Sequence, residues 1–336
     1  MAGVRQIGSA MKRLSIIIPV YNADKYLEEC LRSVVKNNYA DMEVIIVNDG
    51  SRDDSLSICN KYKDLDNRIQ IIDKKNTGVS DSRNVGIRAS QGQYIMFLDA
   101  DDFMESDSFN IVIEDINSNK YDFIAYSYYT FKKNDARKEE LYAIDKECSD
   151  LQVIREYMLA SSTLNTCWGK LFLAKVIKDN QITFRTDLKI GEDFVFVAEY
   201  FMKIRSAIIK NVPVINYRQH GESAMHKYDF MTRIWYTDYL FRFNKGCLEM
   251  IEDKEIMNKM YVYYLRVITN IMLEFARSNK SLVKLYKKAF EFESINEIID
   301  TIDIRSTSSY KKFECALLKK RWYSIMSIYF RIKSCF

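Results

Sequence analysis

The sequence predicts an α/β protein with a mostly parallel sheet, followed by a helical C-terminal region. Three observations carry this. Between Leu14 and Leu98, four short apolar runs alternate with stretches patterned as helices. The fourth run leads straight into Asp99, Asp101 and Asp102, and open α/β sheets bind ligands at the carboxyl ends of their strands. Beyond residue 228 glycine nearly vanishes, Gly246 being the last, while Tyr, Met and Ile recur at helical spacing.

Leu14–Ile18 is too short for a helix and rich in β-branched residues, so it reads as a buried parallel strand ended by Pro19. Leu27, Cys30, Leu31, Val34 and Val35 then mark one face of a helix. Glu43–Val47 is the second strand, ending at Asn48-Asp49-Gly50-Ser51. Ser51 is expected to cap the next helix, with Asp53 and Asp54 in its first turn. Ile69–Asp73 is the third strand, Asn76-Thr77-Gly78 a loop, Asp81–Ala89 a short helix and Tyr94–Leu98 the fourth strand. Such alternation gives a right-handed parallel sheet. No Gly-x-Gly-x-x-Gly follows the first strand, which removes the dinucleotide-binding fingerprint.

Clustered carboxylates repel one another unless a cation sits among them, and hard oxygen ligands suit Mg²⁺ or Mn²⁺. A divalent ion there can hold a diphosphate and ease its departure. An isolated Asp-x-Asp is commonly a surface turn, so the surrounding pattern decides its meaning.

That pattern resembles the donor-binding half of the family 2 glycosyltransferases, which have the GT-A fold. The matching pieces are Ile17-Ile18-Pro19-Val20-Tyr21-Asn22, Val47-Asn48-Asp49-Gly50-Ser51, Asn76-Thr77-Gly78-Val79-Ser80, Ser82-Arg83-Asn84-Val85-Gly86-Ile87 and Gly92 through Asp102. The resemblance covers the first third of the chain and extends more thinly to about residue 225. It implies a GT-A domain over 11–227, with a donor half at 12–105 and an acceptor half at 106–227, then a helical region over 228–336.

The resemblance implies that Pro19, Tyr21 and Asn22 lie at the nucleobase of a UDP-sugar. Tyr21 would offer a π-face, and Asp49 would accept the uracil N–H. Arg83 would pair with the diphosphate as a planar fork, the alternative being a surface pair with Asp81 or an acidic neighbour. Gly78 would permit close backbone approach, whereas Gly86 suits helix packing. Lys75 is either near the phosphates or solvated. Asp99 and Asp101 would take ribose and metal roles, Asp101 being the direct ligand. Asp102 would orient its neighbours or cap a helix starting near Ser106.

On the acceptor side, Gly191-Glu192-Asp193-Phe194 opens an amphipathic helix. Acids at a helix start are favoured by its dipole alone. By the resemblance, Asp193 is the general base for an inverting displacement and Glu192 its orienter or an acceptor contact, with the two roles exchangeable. Trp168 and Lys170 of Cys167-Trp168-Gly169-Lys170 are candidate acceptor contacts, and a core position suits Trp168 equally well. Both histidines, His220 and His226, lie in the last matching region. His226 is the candidate third metal ligand, since imidazole can ligate Mn²⁺.

The composition fits a cytoplasmic enzyme. Seven scattered cysteines without a Cys-x-x-Cys pair read as thiols of a reducing compartment and exclude a zinc ribbon. Residues 1–10 read as a tag remnant or disordered leader, with no signal-peptide pattern. No apolar run reaches membrane-spanning length. From Arg305 to Phe336 eight Lys or Arg face one acid, Glu314, for a net +7 against +4 for the whole chain. Leu318, Trp322, Ile325, Tyr329, Ile332 and Phe336 form one stripe if this tail is a single helix. A basic amphipathic helix suits an anionic membrane, which places the protein at the inner face of a bacterial plasma membrane; a helix docked on the protein or an oligomer contact is the other reading. No nucleic-acid motif accompanies the charge. The expected partners are a nucleotide-sugar donor and a glycan or lipid-linked acceptor. Two other classes remain open here: a nucleotide-binding regulator without turnover, and a sugar nucleotidyltransferase. The latter wants a Gly-rich triphosphate loop where this chain has Pro19-Val20-Tyr21-Asn22.

Overall fold

The computed structural model describes residues 13–131, 137–142, 147–160, 164–219, 228–249, 254–276, 281–302 and 309–334. The expectations for residues 1–10, His220, His226 and Phe336 lie outside the described residues. The chain divides into two compact units, one within 1–155 and 163–220 and one within 156–162 and 221–336.

The first unit opens with β1 (Leu14–Val20), α1 (Asp24–Val35), β2 (Met42–Asn48), α2 (Ser55–Leu65), β3 (Ile69–Asp73), α3 (Val79–Ala89) and β4 (Tyr94–Phe97). It continues with β5 (Phe103–Met104), α4 (Phe109–Ser118), β6 (Phe123–Phe131), β7 (Lys138–Glu140), β8 (Glu147–Cys148) and α5 (Leu151–Ala160), whose last turn falls in the second unit. β9 (Lys170–Leu173), α6 (Ala174–Asp179), α7 (Glu192–Phe201) and β10 (Ala207–Arg218) complete it. Among the described residues ten strands make one sheet in the order β3-β2-β1-β4-β9-β6-β10-β5, with β7 also on β6 and β8 also on β10. β3, β2, β1 and β4 are parallel. β9 runs antiparallel between β4 and β6, and β10 is parallel to β6. The sheet is therefore mixed but mostly parallel. β1 and β4 are buried along their whole length, which is why they read as continuous apolar runs instead of alternating ones.

Three local expectations are corrected. β1 does not stop at Pro19 but runs through it to Val20. Pairing with β4 has ended at Ile17, while pairing with β2 continues to Val20. Pro19 faces the side where no ladder donor is needed, so its missing N–H costs nothing. Ser51 does not cap α2, which begins at Ser55. Its hydroxyl accepts the Asn22 N–H at 3.1 Å instead, and the Asp53 carboxylate takes the N–H groups of Asp24 and Ser55, each at 3.1 Å. These bonds tie the loops after β1 and β2 together. Asp102 caps no helix; its contacts belong to the site below.

Four phenylalanines fix α7 against the sheet. Phe184 and Phe196 stack at 4.0 Å between ring centroids, and Phe97 meets both edge-on at 5.2 and 5.7 Å. Phe97 also meets Phe172 of β9 edge-on. Asn84 of α3 clamps the Phe184 backbone from both sides, donating to its carbonyl and accepting its N–H at 2.8 Å. The end of β4, the start of α7 and the middle of α3 are thus locked to one another by packing.

The second unit is helical: α8 (Phe230–Glu249), α9 (Lys254–Ala276), α10 (Leu282–Ala289), α11 (Glu293–Thr301), α12 (Ser309–Lys319) and α13 (Tyr323–Lys333). Met260, Tyr264, Ile268 and Met272 of α9 are buried, so the Tyr and Met stripe is core. The basic tail is two helices, not one. Arg321 takes φ +51° between them, and its guanidinium pairs with Asp300 at 2.9 Å. Leu318 turns inward and Tyr329 bonds Glu314, which breaks the expected single stripe. Among the described residues no helix is long and apolar enough to cross a membrane.

Candidate active site

Three elements converge on one guanidinium. α3 starts after Gly78, whose φ of +99° suits glycine and whose Cβ position would face open space. Arg83 is buried on this helix. Its Nη2 lies 2.9 Å from Asp99 Oδ1, just past β4, and its Nη1 lies 2.6 Å from Asp193 Oδ1 and 3.5 Å from Glu192 Oε1. Glu192 and Asp193 form the first turn of α7, after Gly191 at φ +79°. The face of Phe184 supports the guanidinium at 5.3 Å. The sequence did not show that Arg83 is buried or that its acidic partners lie on β4 and α7. Asp81 pairs instead with Lys74 at 3.0 Å, and Arg83 joins Asp99 past β4 to Glu192 and Asp193 of α7.

The acids are not equivalent. Burial and the adjacent Asp193 carboxylate push the Glu192 carboxyl up to about 7, while Arg83 pulls it back in part. Asp193 is held twice, by Arg83 and by the Cys167 N–H, 3.3 Å from Oδ2. Burial also pushes the Cys167 thiol up.

At the carboxyl end of β1, Tyr21 is 50% exposed, leaving its ring available as a π-face. Asn22 accepts the Arg52 N–H at 2.9 Å. Pro19 lies buried in the strand. Asp49, just past β2, is buried and bonded to the loop after β3: its carboxylate accepts the Thr77 and Gly78 N–H groups, both at 2.9 Å, and pairs with Lys74. These contacts shape the 74–78 loop, and a carboxylate with about four acceptor sites keeps room for a further N–H beside them. Lys75 beside it is exposed.

Past Asp99 the chain is held by Arg218, which sequence reasoning passed over. The Arg218 N–H donates to Asp102 Oδ1 at 2.8 Å and its Nε to the Asp101 carbonyl at 3.0 Å. Its guanidinium packs on Tyr26 and Phe131, at 4.8 and 4.7 Å from the ring centroids, and pairs with Glu29. The only hint in the sequence was its place in the last matching segment. Asp102 is therefore an anchor for β10. Its Oδ2 is buried without a hydrogen-bond partner, and burial beside Asp101 and Asp99 raises its carboxyl well above the usual range.

The two candidate acceptor contacts are both buried. Trp168 is only 7% exposed. It stacks on Tyr217 at 5.2 Å and meets Tyr128 edge-on at 4.8 Å, so a sugar ring has almost no indole face to use. Lys170 is fully buried, and its amine is spent on Thr166 Oγ1 at 2.9 Å and the Trp168 carbonyl at 3.2 Å. Burial lowers its amine to about 8. Both side chains are buried about the 166–170 loop, whose Cys167 N–H holds Asp193.

Among the described residues no three His, Cys, Asp or Glu side chains are arranged to hold a metal ion. Asp99 and Asp101 supply two carboxylates at the end of β4. That donor set fits Mg²⁺ or Mn²⁺ in the mode where substrate phosphates complete the shell.

The family model described as glycosyl transferase family 2 matches residues 15–181. Glycosyltransferase GlyA of Streptococcus pneumoniae serotype 4 is 29% identical over 237 residues, 66% of this chain and 32% of that protein. The minor teichoic acid biosynthesis protein GgaB of Bacillus subtilis is 28% identical over 258 residues, 75% of this chain and 28% of that protein. The chain thus spans about a third of each of these relatives. The crystal structure of S. aureus TarS 1-349 in complex with UDP-GlcNAc shares the fold, with a TM-score of 0.67, 17% identity and coverage of 94% of this chain and 89% of that one. The β1–β4 motif order, the acids at the sheet's carboxyl edge and these likenesses agree: the chain belongs to glycosyl transferase family 2 and has the GT-A fold.

Proposed function

We propose that this chain is an inverting, metal-dependent glycosyltransferase of surface polysaccharide synthesis. It moves a hexosyl or N-acetylhexosaminyl group from a UDP-sugar to a hydroxyl of a glycan or lipid-linked acceptor, at the inner face of the bacterial plasma membrane. The observation that carries this is the Arg83 junction, where one buried guanidinium ties Asp99 to Glu192 and Asp193. The UDP-GlcNAc bound by TarS supports a uridine donor, and the teichoic acid relative supports a cell-surface product.

In this mechanism Tyr21 packs on the base, and Asp99 orients the ribose. Asp193 takes the proton of the acceptor hydroxyl as its oxygen attacks the anomeric carbon. The bond to the nucleoside diphosphate breaks on the opposite face, which inverts the centre. Asp99 and Asp101 would hold a divalent cation that offsets the charge of the leaving diphosphate. Arg83 fixes Asp193 relative to Asp99, so base and donor are oriented by the same group. The raised affinity of Glu192 for protons favours a second assignment in which Glu192 is the base.

The test is release of nucleoside diphosphate from a panel of nucleotide sugars, with Mn²⁺ and with chelator, for wild type, Asp101→Ala and Asp193→Asn. Release of UDP from one donor, abolished by chelator and by Asp101→Ala, is expected. Asp193→Asn should bind donor without transferring it, and Glu192→Gln should retain partial transfer. Pyrophosphate as product, or donor binding with no transfer across supplied acceptors, would overturn the reading.

A further inference from the structure

The last two helices carry a surface that the transfer reaction does not use. Of the eleven large apolar side chains that are more than a third exposed among the described residues, five lie between positions 313 and 332: Phe313, Trp322, Ile325, Ile328 and Ile332. On α13 the spacing sorts them cleanly. Met326 and Phe330, four residues apart, are buried, and Phe330 meets Tyr286 of α10 at 6.1 Å. Ile325, Ile328 and Ile332 fall at i, i+3 and i+7 on another face, exposed by 45, 59 and 59%. The helix already has its core contact, so this second apolar stripe is surplus to folding.

The exposed charges carried by α12 and α13 have one sign. Lys312, Lys320 and Arg331 are exposed, and Lys320 Nζ lies 4.6 Å from the Trp322 ring centroid. The acid of these two helices, Glu314, is buried and bonded to Tyr329 and Lys333. α13 therefore shows solvent an isoleucine line, a tryptophan at its start and basic side chains, with no exposed carboxylate among its described residues. A protein partner matched to this face would need acids at its rim. A lipid surface supplies acyl chains for the isoleucines, headgroup depth for the indole and a sheet of negative charge for the basic groups at once.

We propose that the exposed face of α13, with Phe313 and Lys312 of α12, is a docking surface for an anionic lipid bilayer, on which α13 lies in the interface plane. This deepens the proposed function, since it would hold the enzyme where a lipid-linked acceptor is found. It rests on that reading for its purpose only. Lipid binding is read without donor or acceptor, so the two fail separately.

The experiment is co-sedimentation of the full chain with vesicles of phosphatidylcholine alone and of seven parts phosphatidylcholine to three parts phosphatidylglycerol. Wild type, Ile328→Ser/Ile332→Ser and Lys320→Gln/Arg331→Gln are compared, with thermal unfolding as the control for folding and nucleotide release as the control for the active site. Wild type should bind the anionic vesicles only and be released by high salt. The serine pair should weaken binding at least tenfold. The glutamine pair should weaken it roughly twentyfold, about fivefold per basic residue. Both should leave unfolding and nucleotide release unchanged. Equal partition of wild type and the serine pair would overturn the proposal. So would a wild-type dimer that ignores vesicles and dissociates in the serine pair, which would assign the face to a second copy of this chain.

Discussion

Arg83 Nη1 lies 2.6 Å from Asp193 Oδ1 although the two residues are 110 positions apart in the chain. The same guanidinium holds Asp99 with its other terminal nitrogen. Its Nε, buried on the far side, has no acceptor. All the polar contacts of the fork are therefore directed at the three acids, and the end of β4 and the start of α7 share one cation.

Lysine cannot reproduce that geometry, because a single ammonium cannot bridge two separate carboxylates as a planar fork does. Arg83→Lys should fold and lower kcat/KM by about 10²–10³, whereas Arg83→Ala should also lose about 3–5 kcal/mol of stability by leaving partly buried acids unpaired. Steady-state kinetics and urea unfolding separate the two effects. Near-wild-type turnover in the lysine variant would show that the junction is not needed for positioning.

Glu192 makes a prediction about pH. Its carboxyl is pushed up from 4.5 to about 7 by burial and by Asp193. Between those values the unfolded chain has released this proton and the native protein retains it. The Glu192 contribution is thus fully present below pH 4.5 and is lost as pH rises to about 7. Glu192→Gln has no proton to lose there. It should flatten this part of the stability profile and exceed wild type at pH 8 by on the order of 2 kcal/mol. Urea midpoints at half-unit steps from pH 5 to 8 check this, and parallel profiles for the two proteins would refute it.

The sheet was legible because β1, β2 and β4 are buried on both faces and write themselves as apolar runs. Asp99 and Asp101 were legible because they follow such a strand directly. What the acids touch was not, since Arg83, Asp99 and Asp193 meet only through the packing of Phe97, Phe184 and Phe196. The packing of Trp168 and Lys170 was illegible for the same reason. Their burial is set by Tyr128, Tyr217 and Thr166, and no local pattern announces a partner that arrives from another strand. The break between α12 and α13 also left no mark, because Arg321 takes a left-handed φ without a glycine or proline to signal it.

The Arg218 anchor separates hydrogen bonding from charge. Asparagine at position 102 keeps an oxygen for the Arg218 N–H, now 2.8 Å from Asp102 Oδ1. Asp102→Asn should therefore stay within about 1 kcal/mol of wild type, while Asp102→Ala should cost about 1–3 kcal/mol through the unpaired buried amide. Both are read by denaturant unfolding. Because Arg218 Nε also bonds the Asp101 carbonyl, the alanine variant should weaken donor binding as well, which calorimetry with UDP and Mn²⁺ would detect. Equal losses in the two variants would mean that the carboxylate charge, not the acceptor oxygen, anchors β10.

Gly86 tests whether α3 must lie directly on β1. A Cβ there would sit 2.3 Å from Ile17 Cγ2 and 3.2 Å from Cγ1, and Ile17 is fully buried. Alanine favours an isolated helix over glycine by about 1 kcal/mol. Here the overlap should outweigh that gain, so Gly86→Ala should lose about 1–3 kcal/mol. It should also lose activity beyond what stability explains, because lifting α3 carries Arg83 away from Asp99. The pair Gly86→Ala and Ile17→Ala isolates the cause: the second change removes the Cγ1 and Cγ2 carbons that clash, so the double variant should be more stable than the sum of the single losses predicts. Simple additivity, or a neutral Gly86→Ala, would mean that α3 is free to ride away from β1 without disturbing the site.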